Sequence, residues 1–435
     1  MYIAERLALT AAVAALAAAP ARAATWSTPS AYDRPTCHPV DVCVSEPAPR
    51  VAVNARGVAV AAWIDTHERV RAAVATHRGR FGAATTLGSD ALRPAPAVGP
   101  DGTVTIVWEA GRGTLRFARR PAGRAHFGRS APLAPRGSTD GDEMARAAAQ
   151  SDGSVVVIYQ SGDNVRSVTI SRAGKPRAPV TLGAGSFAGD SVGVAPDGTL
   201  AACCVQPVSP DPGVPADTAA KLAVYRSKRG WRFVPASAVG EDEIETTYGT
   251  VSALVLATIR VRHSGDAGVL GLPGLARAGA DDVVGAPLRP RSTNPNTSLA
   301  PDVTVDGSGR SVLVFQQKTA PQAFQRTAPV YASVAAAGAS AFGARQRLDA
   351  RKASEPSVRP LGRGAIAVWQ APDARWGVAI ERNGTFRHAA APSGPGPEMG
   401  LGEDALNAFD LATHGSRAVL AWIAPDGSVR VSELR

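Results

Sequence analysis

A unit of short apolar strands recurs along this 435-residue chain, which makes it an all-β protein, and the unit's length makes it a β-propeller of four-stranded blades. Three observations carry that prediction. Turn glycines return at a near-constant spacing, Gly57, Gly102, Gly153 and Gly198 in the first half and Gly309, Gly364 and Gly415 in the second. A strand after each turn closes on a large side chain: Trp63, Trp108, Tyr159, Phe315, Trp369 and Trp422. Beyond a third strand comes an aromatic step such as Phe81-Gly, Phe127-Gly or Phe342-Gly.

The chain begins with a weakly charged segment, an apolar stretch over 7–19 and Ala21-Arg-Ala23, the arrangement of a secretory signal peptide ending at residue 23. The apolar stretch is too short to span a bilayer, so the expectation is a secreted or extracytoplasmic protein without a membrane span. Residues 24–50 follow as a closure strand and a small loop. There Thr25-Trp-Ser-Thr-Pro-Ser-Ala-Tyr32 reads as an orphan outer strand, and Cys37 and Cys43 bracket a loop that an oxidising compartment would close as a disulfide. Residues 51–435 are the propeller.

Within it, Val51-Ala-Val-Asn-Ala-Arg-Gly57-Val-Ala-Val-Ala-Ala-Trp63 and Val98-Gly-Pro-Asp-Gly102-Thr-Val-Thr-Ile-Val-Trp108 are the clearest copies of inner strand, turn and second strand. The repeated rings read as packing between blades rather than a stacking platform for sugars, each burying roughly 150–250 Å². Cys204 takes the same slot in the fourth unit, and Cys203 beside it points to the opposite face of a strand, so the two read as separate thiols. Between Gly198 and Gly309 there is room for one degenerate unit, with 251–261 as its second strand. That gives eight units, or seven if the region is an elaborated loop. The last unit ends after Ser428-Val-Arg-Val-Ser-Glu-Leu434 without an outer strand, so the N-terminal strand is expected to complete it and close the ring.

Charge narrows the partners. The formal net charge is +10, yet the basic residues are mostly Arg scattered over the units, which argues against nucleic-acid binding and allows a general attraction to acidic surfaces. Gly189-Asp-Ser191-Val-Gly193 matches a nucleophile elbow in letters only, because an inner strand rather than a helix follows it. No spacing of His, Cys or carboxylates points to a metal, and no cofactor is expected.

The turns Gly99-Pro-Asp-Gly102, Ala195-Pro-Asp-Gly198 and Ala424-Pro-Asp-Gly427 resemble those of TolB-like propeller repeats. That resemblance covers turns and strand pattern and implies a propeller, with an envelope scaffold as one possible role. Sialidase-like propellers share the strand pattern, but their Ser-x-Asp-x-Gly-x-Thr-Trp box is absent, since Asp and Gly are adjacent here. Physically, Asp-Gly between two strands is a hairpin turn.

Polar residues cluster on the loops that lead into inner strands, where propellers commonly bind ligands. They are Glu46, Arg50, Arg93, Asp142, Glu143, Arg146, Asp190, Glu243, Glu355 and Asp404. Two second-to-third-strand connections are long, 206–217 and 316–327, and the second offers Gln316, Lys318 and Arg326 as a recognition surface. Solvation alone also explains polar loops. The expectation is a monomeric, non-enzymatic propeller that binds a protein or a cell-surface glycan through its loop face. A glycan hydrolase or lyase on the same fold is the alternative.

Overall fold

The computed structural model describes residues 25–32, 49–76, 80–111, 113–134, 145–184, 192–194, 200–207, 221–226, 229–235, 243–248, 254–263, 269–278, 298–317, 328–337, 339, 341–371, 375–396 and 409–435. Every regular element among them is a β-strand, and every pairing between these strands is antiparallel. The first unit is typical: Arg50–Val53, Ala59–Ile64, Val70–Ala75 and Thr85–Gly88 form one sheet in chain order. The second repeats it with Ala91–Val98, Val104–Ala110, Thr114–Arg120 and Ala131–Pro132.

The inner strands show how the units are arranged. Those beginning at Arg50, Ala91, Arg146, Val192, Glu243 and Ser298, the later half of Gln346–Leu361, and Phe409–His414 each neighbour the next, and the last neighbours the first. This circuit makes eight units around one axis. The fifth has three described strands, Glu243–Tyr248, Leu254–His263 and Val269–Ala278. At the chain ends, Ser30–Ala31 pairs antiparallel with Val429–Leu434, and Trp26 bridges Leu434, so the N-terminal segment is the outer strand of the eighth unit. Ser432 Oγ donates to the Ser27 carbonyl at 2.7 Å across the same edge.

The repeated rings lie between units. Trp108 is fully buried against Val60, Ala62 and Ile64 of the first unit, and Tyr159 against Val107 and Phe117 of the second. Trp369 packs on Val312 and Val314, Trp422 on Ile366 and Trp376, and Trp63 on Val419 and Val431 of the eighth unit. Each of these rings therefore seals its own unit to the one before it, consistent with the packing role. Gly377 is needed for this, because a Cβ there would overlap the Trp369 indole.

Proline shapes the inner strands. Register slips occur between Leu92 and Ala95, between Leu299 and Asp302, and between Ser354 and Ser357, and each slip contains a proline: Pro94, Pro301 and Pro356. Proline has no N–H for the ladder and is tolerated on an edge strand or at a bulge, and an inner strand is the edge of its sheet. One strand is shared: in Gln346–Leu361 the earlier half pairs with Ala328–Ala335 and the later half with Gly364–Ala371, so it serves the sixth and the seventh unit.

Candidate functional site at the funnel mouth

Counting back from the rings locates a belt of side chains at the mouth where the inner strands begin. Arg50 pairs with Ala62, one residue before Trp63, and Arg146 pairs with Ile158, one before Tyr159. The same slot holds Ala95 in the second unit, Asp302 in the sixth, Ser357 in the seventh and Asp410 in the eighth. Arg93 sits just above this slot, inside the second unit's bulge. The first three units thus bring three arginines to one arc of the mouth, and the sixth and eighth units bring carboxylates to the other.

The two sides differ in how they are held. Asp302 Oδ2 accepts from the Val358 N–H at 2.9 Å, Ser357 Oγ at 2.9 Å and Arg359 Nη1 at 2.6 Å. Asp410 Oδ2 accepts from the Val51 N–H at 2.8 Å. Both carboxylates are committed to joining one inner strand to the next. On the basic side, the residue equivalent to Val51 and Val358 is Pro96, which has no N–H to satisfy, and the slot before it in the first unit carries Arg50. Arg93 adopts φ 48°, a left-handed conformation that costs energy for a residue with a Cβ. Its Nη1 is buried and has no hydrogen-bond partner among the described residues. Nearby Glu68 and Asp90 are also left-handed, at φ 53° and 49°, and the Ala91 N–H donates to the Glu68 carbonyl at 2.9 Å. Strain of this kind collects at ligand sites.

On the same rim, Asp65 accepts from Arg69 Nε at 2.9 Å, Arg71 Nη1 at 3.0 Å and the His67 N–H at 3.0 Å. Burial alone would raise its pKa; these bonds outweigh burial and hold it at about 2. It stays ionised and fixes two guanidiniums beside the mouth.

Of the residues expected from sequence, Arg50, Arg93 and Arg146 come together here, on inner strands rather than on the loops before them. Gln316 does not join them. The strand Ser311–Gln317 runs past the expected loop start, so Gln316 is 2% exposed and its Nε2 donates to the Ala353 carbonyl, spending the amide inside the sheet. Glu243 and Glu355 lie on strands, with side chains outside the described residues. Glu46, Asp142, Glu143, Asp190, Lys318, Arg326, Asp404, Cys37 and Cys43 also lie outside them. Sequence reasoning missed Asp302, Ser357, Arg359 and Asp410. Their signal was distance from the ring along the repeat, which requires strand register. Among the described residues no group of three or more His, Cys, Asp or Glu could hold a metal, and no helix is long and apolar enough to cross a membrane.

No known family model matches the sequence, and no curated protein matches it. Solved structures do resemble it. An ulvan lyase, a polysaccharide lyase, is 12% identical, with 82% of this chain and 96% of the lyase covered at a TM-score of 0.48. The polysaccharide lyase Uly1 is 12% identical over 90% of each chain at 0.49. The β-propeller domain of the Trilobed protease from Pyrococcus furiosus is 7% identical, over 80% of this chain and 98% of that domain, at 0.43. At such identities the likeness concerns the fold alone.

Proposed function

We propose that this chain is an extracytoplasmic recognition propeller that binds an acidic cell-surface glycan at the funnel mouth and releases it unchanged. The observation behind this reading is the arginine arc, with Arg50, Arg93 and Arg146 on three consecutive inner strands and a strained, incompletely partnered guanidinium at its centre. Guanidinium forks match carboxylate and sulfate oxygens two at a time, which suits an acidic sugar. The net charge of +10 draws such a polymer from a distance, and salt weakens the attraction.

The test is a glycan array with the mature protein, followed by long incubation of each hit and mass analysis of the sugar. Acidic glycans are expected to bind and stay intact. The Arg50→Ala, Arg146→Ala double variant is expected to bind at least about tenfold more weakly, a loss of about 1.4 kcal/mol. Binding that survives both replacements would overturn this site. Cleaved sugar would point to a hydrolase or lyase, and an empty array with a protein captured by pull-down would point to a protein partner.

A further inference from the structure

At the opposite mouth, where first and second strands are joined by tight turns, a cavity of about 510 Å³, more open to solvent than enclosed, lies between the first and eighth units. Among the described residues it is lined by Ala55, Arg56, His414, Gly415, Ser416 and Arg417. We infer that this cavity is a second binding site, for a small hydroxylated carboxylic acid about the size of a sugar acid.

The volume falls in the range of small-molecule pockets, roughly 300–1,000 Å³, and well above what one inorganic ion fills. The lining contributes two guanidiniums, an imidazole and a hydroxyl, and no carboxylate. Behind Arg417, Glu433 is 1% exposed and faces both Arg417 Nε and Arg435 Nη2 at 3.4 Å. Two guanidiniums face that one buried carboxylate, and Arg56 adds a further positive charge to the lining, which favours an anion. Burial lowers the pKa of His414, which keeps its imidazole neutral near pH 7 and able both to donate to and to accept from a hydroxyl.

The walls are fixed before any ligand arrives. Arg56 Nη1 donates to the Asp101 carbonyl at 3.2 Å, and Asn54 Nδ2 ties the same turn to the Gly99 carbonyl at 2.6 Å. On the other wall, the Gly362 N–H donates to the Gly415 carbonyl at 2.6 Å. The Arg417 guanidinium lies over Gly57, whose φ of 74° suits glycine and where a Cβ would collide with it. A prearranged site loses little freedom on binding.

The experiment is calorimetric titration of the full mature protein with glucuronate, and with glucose and sulfate as controls at matched ionic strength. Glucuronate is expected to bind, with at least tenfold weakening in Arg56→Ala and in Ser416→Glu, and with this site retained in the Arg50→Ala, Arg146→Ala double variant, which removes only the mouth's own binding. Arg56 and Ser416 are exposed, so neither change threatens folding, and circular dichroism would verify that. No heat with glucuronate, equal binding of sulfate, or binding unaffected by both pocket variants would overturn the inference. Loss of glucuronate binding in the mouth double variant alone would assign the ligand to the arginine arc instead.

Discussion

Trp369 and Trp108 occupy the same place in their units and are equally buried, yet their indole nitrogens fare differently. Trp369 Nε1 donates to Asp349 Oδ2 at 3.0 Å, whereas Trp108 Nε1 is buried with no partner among the described residues. Replacement by Phe should therefore cost more at 369, where it removes one of the hydrogen bonds that the buried Asp349 carboxylate accepts, than at 108, where it removes an unsatisfied donor. A difference of about 1–2 kcal/mol in urea unfolding is the expected outcome. Proton linkage can also be read residue by residue. Asp65 titrates at about 2 in the folded protein and at 3.8 ordinarily, so its contribution is complete above pH 3.8 and is lost as pH falls towards 2. The fully buried Glu381 behaves oppositely: burial raises its pKa, against pulls from the Gly384 N–H and Arg310, so its contribution is present below 4.5 and is lost as pH rises through the folded value. Asp65→Asn should flatten the acid limb of the stability curve between pH 4 and 2. Glu381→Gln should leave that limb largely in place and raise stability at pH 7. Unfolding curves recorded from pH 2 to 8 check both.

At the scale of the element, the inner strand joins one unit to the next through Asp302 and Asp410. Asp410→Ala removes the acceptor for the Val51 N–H and should destabilise by about 1–3 kcal/mol, seen as a lower denaturation midpoint with an unchanged slope. Sequence alone went far with such elements and then stopped. The rings at Trp63, Trp108 and Tyr159 were legible as core because they recur at one step from a turn glycine. Arg50, Arg93 and Arg146 were legible as polar residues near inner strands. That Arg50 and Arg146 share a slot with Asp302 and Asp410 was not legible, because the bulges at Pro94 and Pro301 shift the count by residues that only backbone pairing reveals. Gln316 misled for a related reason: an amide at a strand end reads as loop until the Ala353 carbonyl that satisfies it is known.

For the whole molecule, the spacing of Gly57 to Gly198 made the repeat visible, while the fifth unit, degenerate in sequence and with three strands among the described residues, left seven or eight open until the inner strands were seen in one circuit. The N-terminal outer strand was legible as a missing piece of the last unit. Deleting residues 25–32 should bare the edge of Val429–Leu434, lower the melting temperature and cause concentration-dependent association, measurable by light scattering. The strand Gln346–Leu361 has a different consequence. Because one unbroken backbone belongs to two neighbouring sheets, neither can open without dragging the other, so the sixth and seventh units form a single cooperative block. In native-state hydrogen exchange, amides along 346–361 should be among the slowest to exchange and should share one opening free energy. Those of Ser30–Ala31, held by a short pairing at the chain's end, should exchange first, so thermal fraying would begin at the joint between the termini and reach the shared strand last.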